Sequence, residues 1–273
     1  MKQLYLLFQK NKRLRAWLLF FSLCFLFILG WYLSLRFGAV AYSNAQLMSV
    51  FRHPLTDSNL QDVIFDLRLP RTIAAILVGA AMAQAGSIIQ GVTRNPIADP
   101  GLLGINAGAG LALIVGYAIF GSMHYSLILI TCLFGAILAA ILVFGIAYHP
   151  RKGYQQLRLI LAGAMISTLF SSLGQAITLY FDLSKAVIGW QSGGLAQINW
   201  KMLGIIAPFI ILGLLLAQLF ARQLTILSLD ETVAKALGQR TFAMTMTFLA
   251  IVVILSAAAV ALVGSIAFVG LIT

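Results

Sequence analysis

Carboxylates and histidines, the side chains that most often move protons or bind metals, avoid the long apolar runs of this chain. The seven carboxylates outside those runs are Asp57, Asp62, Asp66, Asp99, Asp182, Asp230 and Glu231. The three histidines also lie in connections, at His53, His124 and His149. Ion-coupled carriers and intramembrane hydrolases need such groups within their spans. The sequence therefore predicts no enzyme, no resident cofactor and no metal site, and it leaves a secondary carrier or channel as the weaker alternative.

Uncharged polar side chains do occur within the apolar runs, where they could line a path for a solute. Gln84 lies in one run, and another run carries a polar stripe at the helical spacing i, i+4, i+8 and i+11. The stripe comprises Ser167, Ser171, Gln175 and Thr178. Such a stripe either joins helices by hydrogen bonds or lines a hydrated path. The spacing leaves both interpretations open, and these residues together with Gln84 are candidates for a translocation path.

Composition indicates that the elements carrying these residues are membrane spans. Of the 273 residues, 61% are hydrophobic and 9% are charged, whereas a soluble domain carries roughly 25% charged residues. The runs long enough to cross a bilayer lie at about 16–35, 72–91, 102–120, 125–148, 157–181, 202–221 and 242–263. The sequence predicts a single all-α domain over 1–273, a polytopic transmembrane helical bundle of about seven complete helices. The start of an eighth near Gly264 is cut off at Thr273, which indicates a fragment of a longer protein.

The net charge of +11 comes from cations at the ends of the apolar runs, and no basic patch for nucleic acid is evident. With the N-terminus inside, six of the 18 lysines and arginines fall in outer segments and the other twelve in inner segments. The outer six are Arg36, Arg52, Arg68, Arg71, Lys185 and Lys201. Inner segments of membrane proteins carry the excess of positive charge. We therefore expect a multi-pass protein of the cell membrane, embedded in the lipid bilayer, with a cytoplasmic N-terminus.

A short polar segment, LSLDETVAKALGQRT at 227–241, separates the last two complete runs. Ser228 and Glu231 have the spacing of a capping box, and Gly238 suits the position that follows a helix. Together they predict a helix of about nine residues, too short to span a bilayer. Its apolar stripe comprises Leu229, Val233, Ala236 and Leu237. The helix lies either on the lipid surface or in a groove of a cytosolic partner, and spans without ionisable groups favour a partner that supplies energy.

Two proline-containing motifs flank the second run. In LRLPRT at 67–72, Pro70 predicts a break in the chain just before the run, with an arginine on each side at its outer mouth. In RNPIADPGLLG at 94–104, Pro96 and Pro100 remove backbone donors and exclude a regular helix. The second motif therefore predicts a shaped loop at the inner end of the run.

Four stretches together resemble the FecCD family, the membrane permeases of type II ABC importers for iron–siderophore complexes, haem and cobalamin. They are LRLPRT at 67–72, GAAMAQAGSIIQGVTRNPIADPGLLGINAGAG at 79–110, LDETVAKALG at 229–238 and GSIAFVGLI at 264–272. The similarity runs from the first span to the end of the chain. It implies ten helices per subunit and a dimer of two identical or related permease subunits. It also implies ATP-binding subunits that hold ATP and Mg, and an extracytoplasmic binding protein that delivers the cargo.

The resemblance further implies roles for individual residues. Arg68 and Arg71 would pair with glutamates of the binding protein, and Asn95, Pro96 and Ile97 would form part of an inner gate. A cytosolic coupling segment at 227–240 would fit a cleft of an ATP-binding subunit. Its contributing residues would be Leu229, Asp230, Glu231, Val233, Ala236, Leu237 and Gly238. The expected cargo is an iron(III)–siderophore complex, with haem or cobalamin as the alternative.

Overall fold

A computed structural model of the chain describes residues 12–38, 40–52, 59–149, 153–154, 156–183, 187, 194–229, 231–264 and 269–270. The described part is helical apart from one short hairpin, which confirms the predicted all-α class. The helices are α1 (Lys12–Arg36), α2 (Asn44–Arg52), α3 (Leu69–Thr93), α4 (Ile105–Phe120), α5 (Tyr125–Ala147), α6 (Gln156–Tyr180), α7 (Trp200–Leu219), α8 (Ala221–Leu227), α9 (Glu231–Ala236) and α10 (Thr241–Val263). The hairpin pairs β1 (Tyr148–His149) with β2 (Gly153–Tyr154) between α5 and α6.

Each of the seven predicted spans coincides with a helix, and six helices in the described part of the chain are long and apolar enough to cross a membrane. The exception is α4, whose 16 residues rise about 24 Å, less than the roughly 30 Å of a hydrocarbon core. This helix begins at Ile105 and not at residue 102. The reason is local, because Gly101–Leu103 form a 3₁₀ turn and Gly104 has a left-handed φ of 75°.

One compact unit comprises Met1–Thr72. Large apolar side chains of α1, from Trp17 to Leu33, are exposed around almost the whole helix. A helix that is apolar all round and has few protein neighbours is suited to lipid and not to water. A small hydrophobic core of Leu47, Val50 and Ile64 joins α2 to the stretch that precedes α3.

The LRLPRT motif does not interrupt the helix, although Pro70 predicted a break there. A π-helical stretch, Asp62–Arg68, leads directly into α3, and the helix continues through Pro70. The predicted break is therefore wrong. The Leu69 N–H bonds the Ile64 carbonyl, five residues back, as in a π-helix. Proline has no N–H to donate, and it enters where the five-residue pattern gives way to the four-residue pattern of α3.

The second compact unit, Ile73–Thr273, is built around α10. This helix packs against α4, α5 and α7, and most of its length is buried. Gly108 of α4 and Gly135 of α5 lie against each other, and a Cβ on either would overlap the backbone of the other helix. Small residues allow such close crossings in lipid. Gly264 ends α10, Val269 and Gly270 form a turn, and the other residues of the predicted eighth run lie outside the described residues.

Candidate functional site

The segment between α7 and α10, residues 221–240, forms two short helices, and we call it the connector. Its second helix, α9, spans Glu231–Ala236, six residues where about nine were predicted. The predicted capping box is wrong, because α9 begins at Glu231, three residues after Ser228, and Ser228 has the helical backbone (φ −70°, ψ −15°) of the residue that ends α8. The Ser228 hydroxyl donates to the Thr225 carbonyl of α8 at 2.8 Å.

The predicted end of the connector helix at Gly238 is confirmed. Gly238 has a φ of 78°, and its N–H bonds the Lys235 carbonyl at 2.9 Å. The Gln239 N–H bonds the Ala234 carbonyl at 3.1 Å, and this pair of bonds defines a Schellman motif. The side-chain amide of Gln239 also donates to the Gln223 carbonyl at 2.8 Å. The end of α9 is therefore tied back to α8.

The predicted apolar stripe of the connector is exposed. Its members are Leu229, Val233, Ala236 and Leu237. The three large side chains among them are 44%, 45% and 61% exposed, whereas Ala234 on the other side of α9 is fully buried. Clustered apolar side chains on an otherwise polar segment are typical of a contact surface. Of the remaining predicted coupling residues, Asp230 lies outside the described residues and Glu231 is the first residue of α9.

The predicted gate residues Asn95, Pro96 and Ile97 form a turn that we call the NPI loop. The preceding residue, Arg94, has a left-handed φ of 52°, and the Asn95 N–H bonds a carbonyl of α3 at 3.1 Å. The Asn95 side chain accepts from the Ile97 N–H, and the Asn95 carbonyl accepts from the Ala98 N–H, each at 3.1 Å. Pro96 occupies the second position of this turn, which its fixed φ suits. Ile97 is 62% exposed at the tip of the loop.

Arg94 joins the NPI loop to the connector, a role that the sequence did not indicate. Its Nε and one terminal nitrogen both donate to the Leu227 carbonyl, at 3.2 Å each. Next to this link, a Cβ on Gly91 would lie 2.9 Å from Cδ1 of Leu224, so α3 and α8 are in close contact. A cation at the end of an apolar run is also explained by membrane orientation, and the sequence therefore gave no distinct signal for this contact.

Asp99 follows the NPI loop and is buried beside Gly270. Its Oδ1 accepts from the Gly101 N–H at 2.7 Å, and its Oδ2 is 3.0 Å from the position that a Cβ on Gly270 would take. Gln90 donates to the Gly270 carbonyl at 3.3 Å, and Gly86 packs against the same peptide. The chain that follows α3 therefore contacts the turn that follows α10. A Cβ at Gly86 or Gly270 would overlap neighbouring atoms there.

The predicted polar stripe lies on α6, and its members differ in exposure. Ser171 and Gln175 are exposed, and Ser167 is half-buried. Thr178 is buried, and its hydroxyl donates to a carbonyl of its own helix at 2.8 Å. Ser171 and Gln175 are free to contact a solute or a second subunit, whereas the Thr178 hydroxyl is used within α6. Gln84 is half-buried on α3.

The two arginines of the LRLPRT motif are both half-buried. Arg68 donates to the Leu35 carbonyl at 2.6 Å and to the Val40 carbonyl, and its guanidinium carbon lies 4.6 Å from the centre of the Tyr42 ring. Arg68 therefore holds the chain that follows α1, a structural role that the motif alone did not indicate. The pairing of Arg68 and Arg71 with a binding protein stays a prediction.

A resident metal or cofactor would need several nitrogen, sulfur or carboxylate ligands close together. Within the described ranges, no group of three or more His, Cys, Asp and Glu residues could hold a metal ion. The predicted absence of a cofactor on this subunit stays a prediction, because the ranges leave part of the chain undescribed.

Two known permeases are similar to this chain along most of its length. The iron(3+)-hydroxamate import system permease protein FhuB of Bacillus subtilis (strain 168) is 38% identical over 251 residues, which are 92% of this chain and 65% of that protein. The ferric enterobactin transport system permease protein FepD of Escherichia coli (strain K12) is 35% identical over 254 residues, which are 92% of this chain and 75% of that protein. The chain thus spans less than two thirds of the length of FhuB.

A solved structure and a family description agree with these relatives. A metal-chelate type ABC transporter in an inward-facing conformation matches with a TM-score of 0.76 and 30% sequence identity, over 92% of this chain and 78% of that chain. Residues 26–273 match the FecCD transport family. With its several membrane-spanning helices and this match over most of its residues, the chain belongs to the FecCD transport family.

Proposed function

We propose that this chain is a membrane permease subunit of an ATP-driven ABC importer and that it translocates an iron(III)–siderophore complex. Membership of the FecCD transport family supports the class of transporter. The names of the two relatives, one for iron(3+)-hydroxamate and one for ferric enterobactin, support the class of cargo. Haem and cobalamin are the alternative cargoes, and either would need the same kind of subunit.

The exposed stripe of the connector carries this proposal. Helix α9 has six residues, and exposed apolar side chains occur within it at Val233 and beside its two ends at Leu229 and Leu237. Burying one such side chain contributes about 1.5–3 kcal/mol, so an apolar cleft on an ATP-binding subunit would hold the connector firmly. Binding and hydrolysis of ATP on that partner would then move the connector, and this subunit would itself catalyse no reaction.

The spans would offer a path for the solute, but they lack the ionisable groups that could drive its transport. Within the seven predicted spans the sequence has no carboxylate and no histidine, the groups that proton-coupled carriers use. Ser171 and Gln175, exposed on α6, would face the second permease subunit and line the path between the two subunits. Gln84, Ser167 and Thr178 would contribute less, because the described chain covers them partly or fully.

The charge distribution supports an orientation in which the N-terminus and the connector are cytoplasmic. Arg68 and Arg71 would then lie on the outer side and receive the binding protein. Arg68 already donates to two backbone carbonyls, and a guanidinium has five N–H donors. The remaining donors of Arg68 can still bind a carboxylate of the partner.

Reconstitution in vesicles tests the function. The full chain is assembled with a second permease subunit and the ATP-binding subunits, the binding protein is added outside, and uptake of labelled ferric hydroxamate, ferric enterobactin, haem and cobalamin is measured. We expect uptake of a ferric complex that requires ATP inside the vesicles. Uptake by the chain alone on a proton or sodium gradient would contradict the proposal and indicate a secondary carrier. ATP-dependent uptake of haem or cobalamin alone would retain the importer and correct the cargo.

A further inference from the structure

We infer that Arg94 is a positioning residue that couples movement of the connector to the NPI loop, an inference that rests on the proposed function. Its guanidinium joins the end of α3 to the end of α8 through the Leu227 carbonyl. The NPI loop begins at the next residue, Asn95. A displacement of α8 therefore acts on the residue from which the loop starts.

The backbone at Arg94 is one that glycine usually occupies. A φ of 52° places this residue in the left-handed region, where a side chain is disfavoured and glycine commonly ends a helix. An arginine at this position carries conformational strain, and the bonds that its guanidinium makes to Leu227 offset it. Strain held by long-range contacts is typical of sites whose geometry serves a function.

Electrostatics also favour the contact between the Arg94 guanidinium and the Leu227 carbonyl. Leu227 is the last residue of α8, so its carbonyl is one of the four at the helix end that have no partner within the helix. This end carries the negative pole of the helix dipole, which a cation stabilises. Hydrogen bonds from a guanidinium are charge-assisted and stronger than those between neutral groups. Two nitrogens of Arg94 on one oxygen hold α8 in a defined position.

The surrounding contacts hold α8 in place between α9 and Arg94. The Leu227 side chain is buried, and Leu224 packs against Gly91 of α3. On the other side, the Gln239 amide at the end of α9 donates to a carbonyl of α8. A force that an ATP-binding subunit exerts on α9 is thus passed through α8 to Arg94.

Labelling of the loop tests this coupling without any knowledge of the cargo. The reporter is Ile97→Cys in the full chain, with Cys24 and Cys132 replaced by alanine, assembled with the ATP-binding subunits. The rate of labelling by a water-soluble maleimide is measured without nucleotide and after trapping with ATP, Mg and vanadate. With Arg94 present, we expect trapping to change this rate by about fivefold or more, the lower range of coupling between two sites.

The main variant is Arg94→Gly, because glycine accepts the left-handed backbone and the change removes only the side chain. We expect the variant to retain the ATP-binding subunits on purification, while the change in labelling rate falls below about twofold, under the usual range of coupling. Arg94→Lys keeps a cation that can reach the same carbonyl and should restore part of the response. Arg158→Ala, which removes an exposed arginine of α6, is the matched control and should respond as the parent does.

Four results would overturn the inference. A full response in Arg94→Gly would show that the loop moves without the guanidinium. Loss of the ATP-binding subunits from Arg94→Gly alone would assign Arg94 to docking and not to transmission. A parent that retains these subunits but shows no response would mean that the NPI loop is not coupled to them, and the proposed function would stand. A parent that cannot retain them at all would refute the proposed function and this inference together.

Discussion

The LRLPRT motif and the connector direct their side chains in opposite ways. In the motif, a charged side chain turns toward its own chain, and Arg68 binds the carbonyls of Leu35 and Val40. In the connector, apolar side chains turn away from their own chain, and Leu229 and Leu237 are exposed. The first arrangement stabilises this subunit by itself, whereas the second is stabilised only when another surface covers it.

The difference indicates how each region contributes to assembly. A cation already bound by backbone carbonyls has to share or exchange those bonds when it meets a partner's carboxylate, and exposed ion pairs contribute only about 0–1 kcal/mol. An exposed leucine loses only its contacts with water when a partner covers it, and its burial contributes about 1.5–3 kcal/mol. We therefore expect the connector to supply most of the affinity for its partner, and the arginines to orient a partner more than to hold it.

The largest effect is expected for Leu237→Asp. A carboxylate placed in an apolar cleft is buried without a partner, which costs several kcal/mol, and each 1.4 kcal/mol is about tenfold in affinity. The amount of ATP-binding subunit that co-purifies should fall by at least about tenfold. Leu237→Met keeps the apolar volume and is the matched control. Normal co-purification of the Asp variant would remove the connector from the docking surface.

A second prediction separates docking from structure in the LRLPRT motif. Replacing both Arg68 and Arg71 by Glu should abolish uptake and weaken the docking of the binding protein, because the partner's glutamates would be repelled. Arg68→Glu alone should also lower the thermal midpoint of the purified protein below that of the parent. Two carbonyls would lose a charged donor, which contributes roughly 1–3 kcal/mol. Unchanged docking in the double variant would refute the docking role, and an unchanged midpoint in Arg68→Glu would refute the structural role of Arg68.

Hydropathy was sufficient to locate the long helices. Predictions from single residues were wrong where a neighbouring helix included the residue in question. In lipid a helix satisfies all its backbone groups internally, so length and composition alone predict helices such as α5 and α10. Gly238 was predictable because its left-handed turn depends on one residue. Ser228 was not, because α8 extends far enough to hold its backbone in a helical conformation. Pro70 was not, because the π-helical stretch Asp62–Arg68 already precedes it and continues into α3.

The contacts of Arg68 and Arg94 could not be predicted from the sequence for another reason. Each arginine binds a backbone carbonyl distant in the chain, 33 residues away for Arg68 and 133 residues away for Arg94. Any residue can supply a carbonyl, so the partner leaves no pattern of residue types. The apolar stripe of the connector was visible because burial and exposure depend on side-chain type and helical spacing.

The smallest effect is expected at the end of the connector, for Gly238→Ala. No atom lies within 4 Å of the added Cβ, so the change acts only through the backbone, whose φ of 78° costs a non-glycine residue about 1–2 kcal/mol. Only the part of this strain that fraying of α9 relieves in the free subunit opposes docking, so co-purification of the ATP-binding subunit should fall by no more than about fivefold. Gly79→Ala is the matched control, because Gly79 also has open space around its Cβ position but lies inside α3, where alanine is favoured by about 1 kcal/mol. If both variants lowered co-purification equally, the left-handed turn would not be what presents the exposed stripe, and the outward direction of the connector side chains would need another cause.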